Sequence, residues 1–251
     1  TFSANATLTD NVNLSATDKQ SDLFIGLSPG IQMGGQTGRI RGYLDYVLTA
    51  TFYARNQETS TFYNYLNASA NAEVVQNWLF IDANASISQQ FISPFGTQSP
   101  NVGLNNSNRT EVTTVSVAPY MRGQIAGQVN YVGRAFYSFT DSGTSQAADS
   151  TVWGALLGFD STTRWSRLSW GLDFTYREAK FRGRRREFDQ LNVLSLNYAV
   201  TPELRVSVRG NVETSNLVTI DSETTTGWGL GLRWNPSPRT NLVLEYDQRA
   251  F

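Results

Sequence analysis

The chain contains no cysteine and no histidine. That excludes zinc sites built on thiolate or imidazole, cysteine nucleophiles and Ser-His-Asp triads. Charged side chains are scarce, 16% of residues against roughly 25% in an average globular protein. The net charge of −1 provides no basic field for nucleic acid. No run of about 18 apolar residues occurs, so no transmembrane helix is expected. The opening TFSANATLTD reads as a strand, and any secretion signal has been removed or lies upstream of it.

What is abundant is aromatic and uncharged polar. There are 11 Tyr, 14 Phe and 6 Trp in 251 residues, and a mean hydropathy of −0.33 is reached mostly through Asn, Ser, Thr and Gln. The pattern is clearest in RWSRLSWGLDFTYR, residues 164–177. Leu168, Trp170, Leu172, Phe174 and Tyr176 alternate with Arg167, Ser169, Gly171, Asp173, Thr175 and Arg177. Side chains of a strand alternate between faces, so this strand has one oily, aromatic face and one charged face. A membrane-spanning barrel strand requires that division.

The unit repeats. Ile40, Leu44, Tyr46, Leu48, Ala50 and Phe52 oppose Arg39, Arg41, Tyr43, Asp45, Thr49, Thr51 and Tyr53; Trp228, Leu230, Leu232 and Trp234 oppose Gly227, Gly229, Gly231 and Arg233. The fold class expected is all-β, an antiparallel up-and-down transmembrane β-barrel with about thirteen strands visible, in a single domain over 1–251. Short turns near Gly35, Gln76, Arg122-Gly123, Thr162, Pro202 and Pro236 alternate with longer connections near Thr17, Gln57, Gly96, Ser145, Arg184 and Asn216. Bacterial barrels have short periplasmic turns and longer outer loops. A bulge or bend is expected at Pro29, and a bulge at 191–196, where the apolar phase changes. Single-chain bacterial barrels normally have even strand numbers. An odd count that ends at Phe251 on the loop side implies further residues and fourteen or more strands in the natural protein; a full-length mass of 27.9 kDa would refute this.

Several segments resemble a known family. LTDNVNLS (8–15), SDLFIGLSPGIQ (21–32), LDYVLTATFYARN (44–56), NWLFIDANASISQQFISPFG (77–96) and WNPSPRTNLVLEYDQRAF (234–251) are similar to the outer-membrane β-barrel proteins associated with the PEP-CTERM system. The resemblance implies a Gram-negative outer-membrane location, a link to exosortase and exopolysaccharide loci, and a chain that continues past Phe251. It carries over no catalytic residues.

The candidate site is the row expected to line a polar lumen: Arg39, Arg41, Asp45, Arg134, Arg167, Asp173, Arg177, Arg205, Arg209, Arg233 and Glu245. Such a row passes a hydrophilic solute, or its mixed charges pair across strands and fill the interior. Trp153, Leu168, Trp170, Phe174, Trp228, Leu230, Trp234 and Leu244 are expected to face lipid or its interface. Trp78 is read mainly as a further anchor, with sugar stacking as its other role. The basic cluster Lys180, Arg182, Arg184, Arg185 and Arg186 falls in an expected outer loop. It is either a solvated charge run or a site for lipopolysaccharide phosphate or acidic polysaccharide.

Alternating Gly227, Gly229 and Gly231 leave room for a plug, a ligand or a neighbouring backbone. No metal, cofactor or enzymatic chemistry is expected, because no set of acids converges by spacing alone. The expected partners are membrane lipid, lipopolysaccharide, and polysaccharide or other envelope proteins. A pore or export-associated channel is the leading reading, and a filled, partner-anchoring barrel the alternative. A soluble sandwich would instead cover its apolar face with a second layer of protein.

Overall fold

The computed structural model describes residues 1–55, 61–101, 103–144, 149–162, 164–165, 167–217 and 221–250, with side chains as far as Gln248. The loop expected at 56–60, the aromatic Phe251 and the side chain of Arg249 lie outside the described residues. The elements are β1 (Phe2–Thr9), β2 (Asp22–Gln36), β3 (Ile40–Tyr53), β4 (Thr61–Val75), β5 (Leu79–Phe91), β6 (Arg109–Ile125), β7 (Val129–Asp141), β8 (Ser150–Ser161), β9 (Leu168–Phe181), β10 (Arg186–Ala199), β11 (Leu204–Ser215), β12 (Glu223–Ser237) and β13 (Thr240–Ala250). They form one 13-stranded sheet in which every strand hydrogen-bonds to its neighbours in sequence. The fold class is all-β, antiparallel and up-and-down.

Alternation in the sequence becomes alternation in space because the pairings stay in register. Leu168, Trp170 and Leu172 stand opposite Tyr198, Leu196 and Leu194. Ile25 and Leu27 stand opposite Phe52 and Ala50, and Leu230 and Leu232 opposite Tyr246 and Leu244. The polar parity pairs likewise: Asp45 with Gln32 and Asn67, and Arg177 with Asp189.

At neither Pro29 nor 191–196 is there a bulge. β1 pairs with β2 without a shift from Phe2↔Pro29 to Thr9↔Asp22. Against β3, Leu27↔Ala50 and Gly30↔Val47 keep one register across Ser28 and Pro29. β10 keeps one register against β9 from Arg186↔Lys180 to Tyr198↔Leu168, and against β11 from Asp189↔Ser215 to Ala199↔Arg205. The change of phase at 191–196 arises because Leu191 and Val193 share the parity of Asp173 and Arg209. Two apolar side chains therefore stand on the polar face, and no residue is inserted. The shift that the pairings do show lies between Trp234 and Ser237. There β12 continues through Asn235 and Pro236, where a turn is expected from the sequence.

Arg122-Gly123 is also no turn. β6 runs on to Ile125, and Ala126 and Gly127, both at positive φ, make the reversal. Ala126 takes this conformation at φ 49° although it carries a Cβ, and the Gln128 N–H closes the turn on the Ile125 carbonyl at 2.9 Å.

The contacts divide the chain into two compact units, Thr1–Ala72 with Asp82–Val117 and Ser138–Ser150, and Glu73–Ile81 with Ala118–Tyr137 and Thr151–Phe251. The first holds a small apolar core of Val12, Phe24 and Tyr53, with Leu104 packed against it. Val12 belongs to the 10–21 connection and Leu104 to the 92–108 connection, so two loops fold onto the polar parity of β2 and β3. The Tyr53 hydroxyl donates to the Gly103 carbonyl at 2.7 Å, and the Asn105 N–H donates to the Val12 carbonyl at 2.9 Å. A Cβ at Gly103 would stand 2.1 Å from the Phe24 ring. Only glycine lets the loop come so close.

Candidate functional site

In the second unit, the polar parity of β9–β13 is lined by strand side chains, and among the described residues no loop is packed over the recesses there. Gly227, Gly229 and Gly231 run down β12. A Cβ at these positions would meet Asn211 Oδ1 at 2.5 Å, Asp247 Oδ1 at 2.1 Å and Ser207 Oγ at 2.2 Å. The missing side chains are replaced by polar groups from β11 and β13 that lie across the strand. The room inferred from the glycine alternation is thus taken by neighbouring side chains.

The recesses beside this strip collect the expected charges. One, of about 480 Å³, is lined by Asp173, Leu191, Val193, Ser195, Arg209 and Asn211. A second, of about 190 Å³, is lined by Asn197, Arg205, Ser207, Arg209, Arg233 and Glu245. Arg205 stands directly opposite Arg233. Like charges so placed are unfavourable, so this pair does not act as an internal neutralising contact. Arg177, by contrast, stands opposite Asp189. Opposite charges thus face each other at this position of β9–β10, and like charges at the Arg205–Arg233 position of β11–β12.

Most of the expected row lies on strands at the polar parity: Arg41 and Asp45 on β3, Arg134 on β7, Asp173 and Arg177 on β9, Arg205 and Arg209 on β11, Arg233 on β12 and Glu245 on β13. Two residues do not. Arg39 lies in the bend before β3, because Thr37 closes the turn on Ile40: its N–H donates to the Ile40 carbonyl at 2.7 Å, and the Ile40 N–H donates to its hydroxyl at 3.0 Å. Arg167 lies in the bend before β9, where its carbonyl accepts the Ala199 N–H at 2.8 Å.

A further group was hidden from sequence reasoning by the misplaced turn at Arg122. Phe80, on β5, is buried and stacks on Tyr120 of β6 with ring centroids 5.0 Å apart at 14°. The Arg122 guanidinium lies 4.9 Å over the Phe80 ring, and that of Arg134 lies 5.3 Å over Tyr120. The result is a cation–aromatic–aromatic–cation stack at one level of β5–β7, each cation–ring contact contributing on the order of 0.5–2 kcal/mol. The available signal was an Arg-aromatic-Arg arrangement at strand parity, visible only once β6 is carried through Arg122.

The opposite parity is apolar and exposed. Leu230 and Leu244 have 49% and 57% of their surface open, and Leu168 has 39%. Among the described residues no second layer of protein covers them, and the strands form one sheet in place of the two a sandwich requires. Trp228 packs on Tyr246 at 5.5 Å between ring centroids, and Trp153 on Tyr176 at 5.2 Å. Near the short turns, the Trp78 indole N–H donates to the Tyr131 hydroxyl at 2.7 Å. Trp170, Phe174 and Trp234 share the parity of Leu168 and Leu230 on β9 and β12.

The basic cluster is tighter than a free loop. Lys180 is the last residue but one of β9, Arg186 opens β10 directly opposite it, and Arg182, Arg184 and Arg185 lie in the turn. Among the described residues, no group of three or more acids is placed to hold a metal ion.

Long antiparallel strands joined in sequence order, one face apolar and exposed and the other polar, with short and long connections in alternation, are the chain plan of a transmembrane β-barrel of the bacterial outer membrane. No family model and no curated protein matches this chain. Solved structures similar to it are outer-membrane porins. Pseudomonas aeruginosa OccK2 (OpdF) superposes with a TM-score of 0.39 at 8% identity, covering 99% of this chain and 90% of that one. A BenF-like porin from Pseudomonas fluorescens Pf-5 gives 0.35 at 9%, covering 100% and 92%. Acinetobacter baumannii OccAB3 gives 0.31 at 7%, covering 98% and 92%. Superpositions this loose transfer no residue role.

Proposed function

We propose that this chain forms a passive pore for polar solutes in the outer membrane. The observation that carries the reading is the polar recess of β11–β13, lined by Arg205, Arg209, Arg233 and Glu245 beside the glycines of β12. In lipid the sheet satisfies its own backbone hydrogen bonds. The polar parity then offers hydrogen-bonding groups in place of the water a solute sheds. Polysaccharide as the passenger, with the exopolysaccharide association that the family resemblance implies, is the finer form of the same proposal.

The test is single-channel recording of the full-length protein in planar bilayers. Discrete conductance steps that shrink in Gly229→Phe are expected. An electrically silent protein, folded by its heat-shifted gel mobility, would overturn the pore. Current block by soluble acidic polysaccharide would support the finer form.

A second reading is favoured by one observation. The 10–21 and 92–108 loops pack on Phe24 and Tyr53, so part of the polar parity is occupied by protein. A filled barrel that anchors a partner would show no conductance even when fully folded.

A further inference from the structure

We propose that the β9–β10 hairpin carries a binding site for the phosphate groups of a phosphorylated lipid headgroup, in the leaflet on the side of the longer loops. The inference requires the lipid-facing assignment of the apolar parity and does not require conductance.

The level of the lipid–water boundary is marked on this part of the sheet. Trp153 and Tyr176 lie ring to ring on the apolar parity, and their polar tips converge on one carboxylate. The Trp153 indole N–H donates to Glu178 Oε1 at 3.1 Å, and the Tyr176 hydroxyl donates to Glu178 Oε2 at 3.0 Å. Aromatic residues with apolar bodies and satisfied polar ends gather at membrane interfaces.

Lys180 lies two residues beyond Glu178 at the same parity, about 7 Å further along the strand at the usual rise. It stands directly opposite Arg186. Two cations facing each other across a ladder are unfavourable, and the nearby acid offsets one of them: Arg186 Nε lies 3.3 Å from Glu178 Oε1. Arg182 and Arg184 extend the cluster through the turn, and Arg185 is held to the next loop by a 2.6 Å bond to the Asn216 carbonyl. Glu187, Asp189 and Asp173, the other acids of the hairpin, pair with Ala179, Arg177 and Val193 on the polar parity and point away from this face.

The cations thus sit one short step outside the aromatic belt, on the side that meets lipid. Phosphates of a lipid headgroup occupy that level, and guanidinium forks match phosphate oxygens in a bidentate way. A soluble acidic polymer would gain nothing from cations placed at lipid-facing parity, so the geometry selects the lipid over the polysaccharide.

The experiment is native mass spectrometry of the full-length protein in detergent, with bisphosphorylated lipid A, the same lipid stripped of phosphate, and inorganic phosphate alone as probes. Wild-type protein should retain lipid A. Lys180→Gln with Arg186→Gln should weaken retention by about tenfold or more, as expected for loss of at least one charge-assisted contact. Removing the phosphates should cost a similar factor, and Arg205→Gln with Arg233→Gln should leave retention unchanged. Equal retention by the hairpin variant, or by phosphate-free lipid, would overturn the site. Inorganic phosphate displacing the lipid at millimolar concentration would assign the cluster to free anions and overturn the lipid as its source. Should the strand-end variant fail to fold, Arg182→Gln with Arg184→Gln, which lie outside the ladder, must show a loss of the same sign. A protein that retains lipid A yet conducts no current would leave this site standing while removing the pore.

Discussion

The polar parity is used in two ways in this chain. On β2 and β3 it ends in apolar side chains: Phe24 is 1% exposed beneath Val12 and Leu104, and loop backbone supplies the acceptor for Tyr53. On β11–β13 the same parity carries arginine, serine, asparagine and acids around a glycine strip, and stays open. One strand grammar therefore supports both a folded-in cap and a hydrated charged surface. What separates them is the return of two loops: Val12 of the 10–21 connection, which leads into β2, and Leu104 of the connection between β5 and β6 pack on Phe24 and Tyr53.

The comparison can be broken at its most buried point. Phe24→Ala should cost about 3–5 kcal/mol, the range for truncating a buried aromatic. It should appear as a lower urea midpoint and faster proteolysis within 92–108. If those loops restrict a pore, conductance should also rise.

The exposed parity is tested next. Leu230→Arg places a charge where hydrocarbon is expected and should destabilise the protein by about 2–4 kcal/mol in bilayers. Reversible refolding into vesicles measures this. An effect near zero would mean that Leu230 meets water.

Filling the open surface is a milder change. At Gly229, Val would bring Cβ against the Asp247 carboxylate and should cost about 1–3 kcal/mol by overpacking, with a smaller conductance step. The smallest effect is expected at the like-charge pair. Arg205→Gln should stabilise the protein by about 0.2–1 kcal/mol, since facing cations oppose each other, and should reduce any preference for anions in reversal-potential measurements. A loss of stability there would show that Arg205 has a stabilising partner.

Much of this was legible from residue order. The face of each strand follows from parity alone, and parity survives errors of a few residues at the strand ends. Asp173, Arg209 and Arg233 were therefore placed on one face without knowledge of the pairing. What failed was punctuation. Leu191 and Val193 suggested a bulge because a polar face is expected to be polar throughout, yet a ladder registers backbone and tolerates either side chain. Arg122-Gly123 suggested a turn because glycine commonly ends strands, yet the reversal came four residues later at Ala126-Gly127, where the second glycine was the better signal.

The cap could not be read at all. Val12, Gly103 and Leu104 are joined to Phe24 only by the folding back of two loops far apart in sequence. The available hint was an aromatic, Tyr53, at polar parity beside a long connection. The hairpin cations were found as a run, but that Lys180 and Arg186 share the parity of Leu168 and Trp170 emerged only when they proved to be strand partners.

The glycine strip has a consequence for assembly. A strand displaced by two residues keeps every side chain on its own face, and along Gly227-Trp228-Gly229-Leu230-Gly231 such a slip also exchanges glycine for glycine and a large apolar residue for another. The middle of β12 is thus a track on which neighbouring strands can slide during folding at little steric cost. At the end of this track the pairing of β12 with β13 shifts between Trp234 and Ser237, a landmark that a slipped strand would misalign. Straightening that kink should leave the native sheet intact but produce a second, kinetically trapped population offset by one step of the track.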